Sequence, residues 1–140
     1  MKHKGHSTFD FETSHVRPVL IRKYYEAKVS GSREVEVWGT GTPRGEFLHV
    51  DDLSDACLHL MNRYDENKII NINVGEDTSI RKLAELIAGI AEFEGSLIFD
   101  TGKADGTPVK RLNVSELNSI RRCSTISLKR GIKETYNWCH

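Results

Sequence analysis

The sequence has little of what would staple or anchor a chain from outside its own core. It carries three cysteines, Cys57, Cys123 and Cys139. Their number is odd and no two form a C-x-x-C pair, so neither a disulfide framework nor a zinc site is expected, and no metal ligand is assigned. That usage points to a reducing compartment, the cytoplasm. No apolar run approaches the roughly 20 residues that span a bilayer. The basic start, Met1 to His6, has no apolar stretch behind it, unlike a secretory leader. Net charge is absent too, with 20 Lys and Arg against 20 Asp and Glu. With no recognisable nucleic-acid module either, nucleic acid is not an expected partner. Finally, no strand runs into G-x-x-G-x-x-G and a helix, the pattern that cradles a dinucleotide. Gly39-Thr-Gly41 is too short to stand for it.

What is present fits one soluble folded domain. The chain has 140 residues, 38% hydrophobic and 29% charged, enough to form a core. The balanced charge hides a segregation. Residues 1–33 carry seven basic against three acidic side chains, residues 34–102 five against fourteen, and residues 103–140 eight against three. This is either ordinary solvated surface or, if the two basic ends meet, an anion site.

Residues 1–13 read as an irregular segment and 14–140 as the domain. Thr13-Ser14 can cap a helix whose apolar positions are Val16, Val19, Leu20, Tyr24 and Ala27, ending at about Lys28. Glu34 to Trp38 alternates as a half-buried strand, with Val35 and Val37 inward. A loop follows, then a short strand from Glu46 to Val50. Asp51 or Asp52 is expected to cap a second helix with the stripe Leu53, Ala56, Cys57, Leu60, Met61 and Tyr64. Ile69 to Val74 reads as a β-branched strand. Asp77, Thr78 and Ser79 offer caps for a third helix carrying Ile80, Leu83, Ala84, Ile87, Ile90 and Ala91. Ser96 to Asp100 is a strand, and 101–108 a loop. A short helix follows from Val114 to Ile120, and Ser127 caps a last one bearing Leu128, Ile132, Tyr136 and Cys139. The order predicts an α/β (α+β-like) fold of short strands with about five helices. Leu53, Leu60, Ile80, Leu83 and Ile87 should be buried.

Three stretches carry more than fold class. They are Phe9-Asp-Phe-Glu-Thr-Ser-His-Val-Arg-Pro18 with Leu20-Ile-Arg-Lys23, then Val37-Trp-Gly-Thr-Gly-Thr-Pro-Arg-Gly-Glu-Phe-Leu-His-Val-Asp-Asp52, and Phe99-Asp-Thr-Gly-Lys-Ala-Asp-Gly-Thr-Pro-Val-Lys110. In this order and spacing they resemble the carboxy-terminal, substrate-binding region of GDP-L-fucose synthases, which are extended short-chain dehydrogenase/reductases. The resemblance runs from about Ser7 to Trp138. It implies a substrate-binding lobe with the Rossmann core mostly absent.

The reaction so implied converts GDP-4-keto-6-deoxy-D-mannose to GDP-L-fucose. C3 and C5 are epimerised beside the ketone, and NADPH then reduces C4. The resemblance places a catalytic histidine at His15, also beside the nicotinamide, and a histidine can exchange a proton near neutral pH. It places substrate contacts at Val16, Lys23, Trp38, Arg44, Asp105 and Lys110. Val16 and Lys23 lie seven apart, on one helix face. An indole offers Trp38 a flat face for a base or sugar and one N–H. Asp105 can accept from ribose or base groups, and Lys110 can meet phosphate. Taken singly, each could equally be a surface or packing residue.

One departure touches this site. The family pattern T-P-x-R-E-F becomes Thr42-Pro43-Arg44-Gly45-Glu46-Phe47, so Gly45 stands where a pyrophosphate-binding arginine is usual and Arg44 sits one place early. On an extended segment that shift turns the side chain to the opposite face, unless the freer backbone at Gly45 lets Arg44 reach around. Ala104 and Asn113 are lesser departures. The fingerprint glycines, the Tyr-x-x-x-Lys pair, the serine, the base cysteine and the dimerising helices of this homodimeric family fall outside the resemblance. The chain alone is therefore expected neither to bind NADP(H) nor to turn over substrate. A separate Rossmann-containing chain would complete it. A non-catalytic binding remnant, or a relative acting on another sugar nucleotide, are the alternatives.

Overall fold

In the computed structural model, residues 16–120 and 124–139 are described. Residues 1–13, Ser14 and His15 lie outside them, as does Cys123. The elements in chain order are α1 (Val16–Ser30), β1 (Glu34–Trp38), β2 (Arg44–Gly45), α2 (Val50–Arg63), β3 (Thr78–Ser79), α3 (Ile80–Ala91), β4 (Ser96–Asp100), β5 (Val109–Lys110), α4 (Ser115–Ser119) and α5 (Leu128–Cys139). Among the described residues this is a mixed α/β fold with five helices and short strands.

The core lies between three helices and a parallel ribbon. β1 pairs with β4 from Glu34↔Ser96 to Trp38↔Asp100. The alternation of Glu34–Trp38 buries Val35 and Val37 and leaves Glu34, Glu36 and Trp38 outward. α1 packs on β1 and α3, and α3 packs on α5. Leu20, Ile21, Tyr24 and Ala27 of α1 meet Leu83, Ala84, Ile87 and Ala91 of α3 and Ile132 of α5 in one cluster. Ser79 caps α3 by accepting from the Lys82 N–H at 3.2 Å. Lys28 reaches the other end of α3 and donates to the Ala91 carbonyl at 2.9 Å. A cation suits the carbonyl end of a helix dipole.

A second, three-stranded patch positions the loops. β2 is its middle strand, antiparallel to β3 and parallel to β5. The strand expected over Glu46–Val50 is instead the two residues Arg44–Gly45, with 46–49 irregular. Its extension is cut short because the Leu112 N–H donates to the Glu46 carboxylate at 2.7 Å rather than to a backbone carbonyl.

The region 49–76 departs most from expectation. His49, not Asp51 or Asp52, caps α2, its Nδ1 accepting from the Asp51 N–H at 3.3 Å. Both aspartates lie in the first turn, where negative charge suits the helix amino end. α2 buries only Ala56. Leu53 is 40% exposed and Leu60 half-buried, so of the five residues expected in the core only Leu83 and Ile87 are fully buried. Ile80 is half-buried against the core. Residues 69–74 form no ladder among the described residues. Their β-branched composition suits a strand only when a neighbouring strand is there to pair. Asn71 and Asn73 nevertheless hold the segment in place, donating to the Asn113 carbonyl and to Glu46.

Candidate functional site

A cavity of about 930 Å³ opens beside the three-stranded patch. Its walls come from the start of α1 (Val16, Arg17), the end of β1 (Trp38), the segment around β2 (Arg44 to Phe47) and the stretch from Asp105 through β5 to Leu112. Segments far apart in sequence thus face one hollow. Val16, Trp38, Arg44, Asp105 and Lys110, five of the residues singled out in the sequence, are among its lining. Lys23 is not in the wall but lies against the Trp38 ring, and His15 lies outside the described residues.

Two ammonium groups approach the Trp38 ring. Lys23 Nζ and Lys103 Nζ each lie 5.3 Å from the ring centroid, within cation–π range. The indole Nε1 donates to Glu36 Oε1 at 3.0 Å, and Lys23 donates to the Glu36 carbonyl at 2.8 Å. Burial lowers the Lys23 pKa, and nearby Glu36 opposes the shift. These contacts hold the ring at the cavity wall.

Asp105 joins the two loops that frame the opening. Its carboxylate accepts from the Thr40 N–H at 2.8 Å and from the Thr40 hydroxyl at 2.7 Å. The close approach needs glycine at 39, where φ is +82° and an added Cβ would fall 2.2 Å from Asp105 Oδ1. Gly41, at φ +75°, likewise has no room for a Cβ against the Phe99 ring. The Gly-Thr-Gly stretch is therefore a loop fitted closely around its neighbours.

Arg44 is engaged by the protein itself. Its guanidinium is held by Asp77, with Nε donating to Oδ1 at 2.8 Å and Nη2 to the Asp77 carbonyl at 3.1 Å. Lys110 pairs opposite Gly45 in the β2–β5 ladder and has no ion pair among the described residues.

Several wall residues were not singled out in the sequence. Arg17 lies over the Phe47 ring, Cζ 5.6 Å from the centroid, and burial lowers its pKa. Arg111 donates to the Gly75 carbonyl at 2.8 Å. Glu46 accepts from Asn73 Nδ2, the Gly75 N–H and the Leu112 N–H at 2.7–2.9 Å, so one carboxylate gathers three segments. No spacing rule marks such a residue, because its partners lie 27 to 66 positions away. In all, the wall holds four cationic side chains, Arg17, Arg44, Lys110 and Arg111, against two carboxylates, both hydrogen-bonded to protein donors. A polar anion with a flat ring suits such a hollow. No cluster of three or more metal-ligating side chains occurs among the described residues.

Residues 2–75 match the model of the NAD dependent epimerase/dehydratase family. The chain belongs to this family. Within it, the chain is 49% identical to GDP-L-fucose synthase 1 of Arabidopsis thaliana over 130 residues, covering 93% of this chain and 40% of that protein. A GDP-L-fucose synthetase structure from Naegleria fowleri superposes with a TM-score of 0.86 at 32% identity, over 93% of this chain and 40% of that one. The GDP-mannoheptose C4 reductase of Campylobacter jejuni, solved with NADP bound, gives 0.81 at 34% identity, over 91% and 45%. The chain thus spans about 40% of the length of the curated relatives it matches, their carboxy-terminal part.

Proposed function

We propose that the cavity binds a GDP-linked sugar and that, joined to a cofactor-bearing half, this lobe serves an oxidoreductase that epimerises GDP-4-keto-6-deoxy-D-mannose at C3 and C5 and reduces C4 with NADPH. The observation that carries this reading is the convergence of Val16, Trp38, Arg44, Asp105 and Lys110 on one cavity. In it the indole of Trp38 packs on the flat part of the ligand, and Lys110 with Arg111 faces the diphosphate. Asp105 keeps lone pairs for a ribose or base donor while its loop is held by Thr40. His15 is the residue proposed to exchange the sugar-ring protons. The family relatives named above are GDP-sugar enzymes by name, and two of the three are GDP-L-fucose enzymes.

The reducing cofactor belongs to the complete protein, a homodimer in the cytoplasm, with NADP(H) in the other half. That half is the source of the hydride. No helix among the described residues is long and apolar enough to cross a membrane. The purified 140-residue chain should bind GDP in a calorimetric titration, yet leave NADPH unoxidised when GDP-4-keto-6-deoxy-mannose is added. Absence of GDP binding would remove the ligand reading. NADPH oxidation by the chain alone would remove the division of labour. A different GDP-sugar is the second reading, favoured by the likeness to the mannoheptose reductase. Competition between GDP and a panel of GDP-sugars would separate the two.

A further inference from the structure

The cationic side chains on the wall of the larger cavity differ in how many donors the protein leaves them. Arg44 gives Nε to the Asp77 carboxylate and Nη2 to the Asp77 carbonyl. Arg17 lies over the Phe47 ring and also lines a second, smaller cavity. Lys110 brings a point charge on a flexible stem. Arg111 differs from all three. Its Nη2 donates to the Gly75 carbonyl at 2.8 Å, and its other donors have no partner among the described residues. The clamp on this side chain runs through Glu46. The Glu46 carboxylate accepts at 2.8 Å from the N–H of Gly75, whose carbonyl holds the guanidinium, and at 2.7 Å from the N–H of Leu112, the residue after Arg111. Asn73 Nδ2 donates to it as well. Glu46 therefore fixes both the backbone beside Arg111 and the anchor of its side chain, while its own lone pairs are engaged by N–H groups. The anchor itself is tightly placed, since Gly75 turns at φ +78° and an added Cβ would fall 2.9 Å from Val114. Gly45 pairs with Lys110 in the β2–β5 ladder, so Arg111 is the residue next to the ladder partner of Gly45.

We propose that Arg111 is the residue that selects for a diphosphate in this cavity, supplying from the β5 side the planar cation that Gly45 does not supply from β2. The inference rests on the reading of the cavity as a GDP-sugar site and adds the residue that recognises the second phosphate. A guanidinium offers parallel N–H donors that match two oxygens of one phosphate group. Held at one corner by Gly75, it gives up less side-chain freedom when a ligand arrives. The adjacent Lys110 ammonium adds a second positive centre on the same wall. Two neighbouring cations attract a ligand with two neighbouring phosphates more strongly than one with a single phosphate. Arg44 does not compete for this task, because reaching the ligand would break its ion pair with Asp77. Arg17 comes from α1 rather than from the β2–β5 ladder.

The test is a calorimetric series on the 140-residue chain with GDP, GMP and guanosine. Wild type should bind GDP at least about tenfold more tightly than GMP. Arg111→Ala should weaken GDP binding at least about tenfold, as the loss of a charge-assisted contact does. It should shift guanosine binding less than about twofold, and so narrow the preference for GDP over GMP. Arg111→Gln keeps an N–H donor for the Gly75 carbonyl but carries no charge, and should bind GDP as poorly as the alanine variant. Arg111 is exposed, so both variants should fold, which their melting curves check. A glutamine variant that binds GDP like wild type would show that Arg111 only anchors the Gly75 turn. An alanine variant that loses guanosine as strongly as GDP would show that the change acts on the whole cavity. Either result overturns the proposal and leaves the GDP-sugar reading standing. Wild type that binds no GDP overturns that reading and the proposal with it.

Discussion

Arg44 and Asp77 form an ion pair at 2.7 Å, Nη2 to Oδ1, in which the same carboxylate oxygen also receives Nε. The arginine beside Gly45 is thereby held to the protein, on the wall of the cavity it was expected to equip. Gly45 has room for a side chain: its φ is not positive, and an added Cβ would meet only Phe47, at 3.6 Å. Gly45→Arg should tighten GDP binding by one charge-assisted contact, roughly 1.5–3 kcal/mol, or about ten- to a hundredfold in Kd. The new cation would face Lys110 across the ladder, so without ligand the variant should melt slightly lower. Calorimetry and melting curves with and without GDP read both effects. Unchanged affinity would mean that the diphosphate lies elsewhere.

Trp38 gives the second prediction. Its ring is fixed by Lys23, Lys103 and Glu36. Trp38→Ala should weaken GDP binding by about 1–3 kcal/mol if the ring stacks on base or sugar. Trp38→Phe should retain most of it, and Lys23→Ala should have a smaller effect because Lys23 works through the ring. A titration series in the order wild type, Phe, Lys23→Ala, Ala would agree with this; equal affinities throughout would remove Trp38 from the site.

The parts of this protein legible in its sequence are those whose partners also lie in it. The alternation of Glu34–Trp38 gave the inward valines because β4 is present to pair. The 3.6-residue spacing of Leu83, Ala84, Ile87 and Ala91 gave the buried face of α3 because α1 and α5 cover it. The same rule applied to Leu53 and Leu60 misled, since periodicity reports an apolar face and not what covers it. Composition misled likewise at Ile69–Val74. On the cavity wall, motif blocks singled out Trp38, Asp105 and Lys110. They said nothing of Glu46 as a three-way anchor or of Asp77 holding Arg44, because long-range partners of single polar residues leave no local pattern.

Asp52 offers a pH signature. Partial burial opposes ionisation, but hydrogen bonds from the Ile126 N–H, the Thr125 side chain, the Ser124 hydroxyl and the Thr125 N–H outweigh it, and hold the pKa at about 2, below the ordinary 3.8. A carboxyl with a depressed folded pKa adds stability above its unfolded value and loses it as pH falls through the folded one. Wild type should therefore lose stability between about pH 4 and pH 2 through this group. Asp52→Asn should be less stable at pH 7, by about 1–2 kcal/mol after allowing for solvent screening. It should also show a shallower decline over that window. Parallel melting curves for the two proteins at pH 2 to 7 would contradict this account.

The last prediction concerns a core group that works against the fold. Tyr24 is fully buried, and its ring meets Phe93 edge to face at 5.4 Å. Its hydroxyl is buried without a hydrogen-bond partner among the described residues. Burial, with a contribution from Glu85, raises its pKa to about 12. A buried donor left unpaired costs roughly 1–3 kcal/mol of desolvation that no contact returns. Removing the oxygen while keeping the ring should recover part of this, because the packing against Phe93 is retained. Tyr24→Phe is thus expected to stabilise the chain by about 1 kcal/mol, whereas Tyr24→Ala should destabilise it by about 3–5 kcal/mol through the cavity it leaves. Denaturant melts of the three proteins decide the matter. A Phe variant less stable than wild type would show that the hydroxyl is in fact bonded, to water or to a residue outside the described ones.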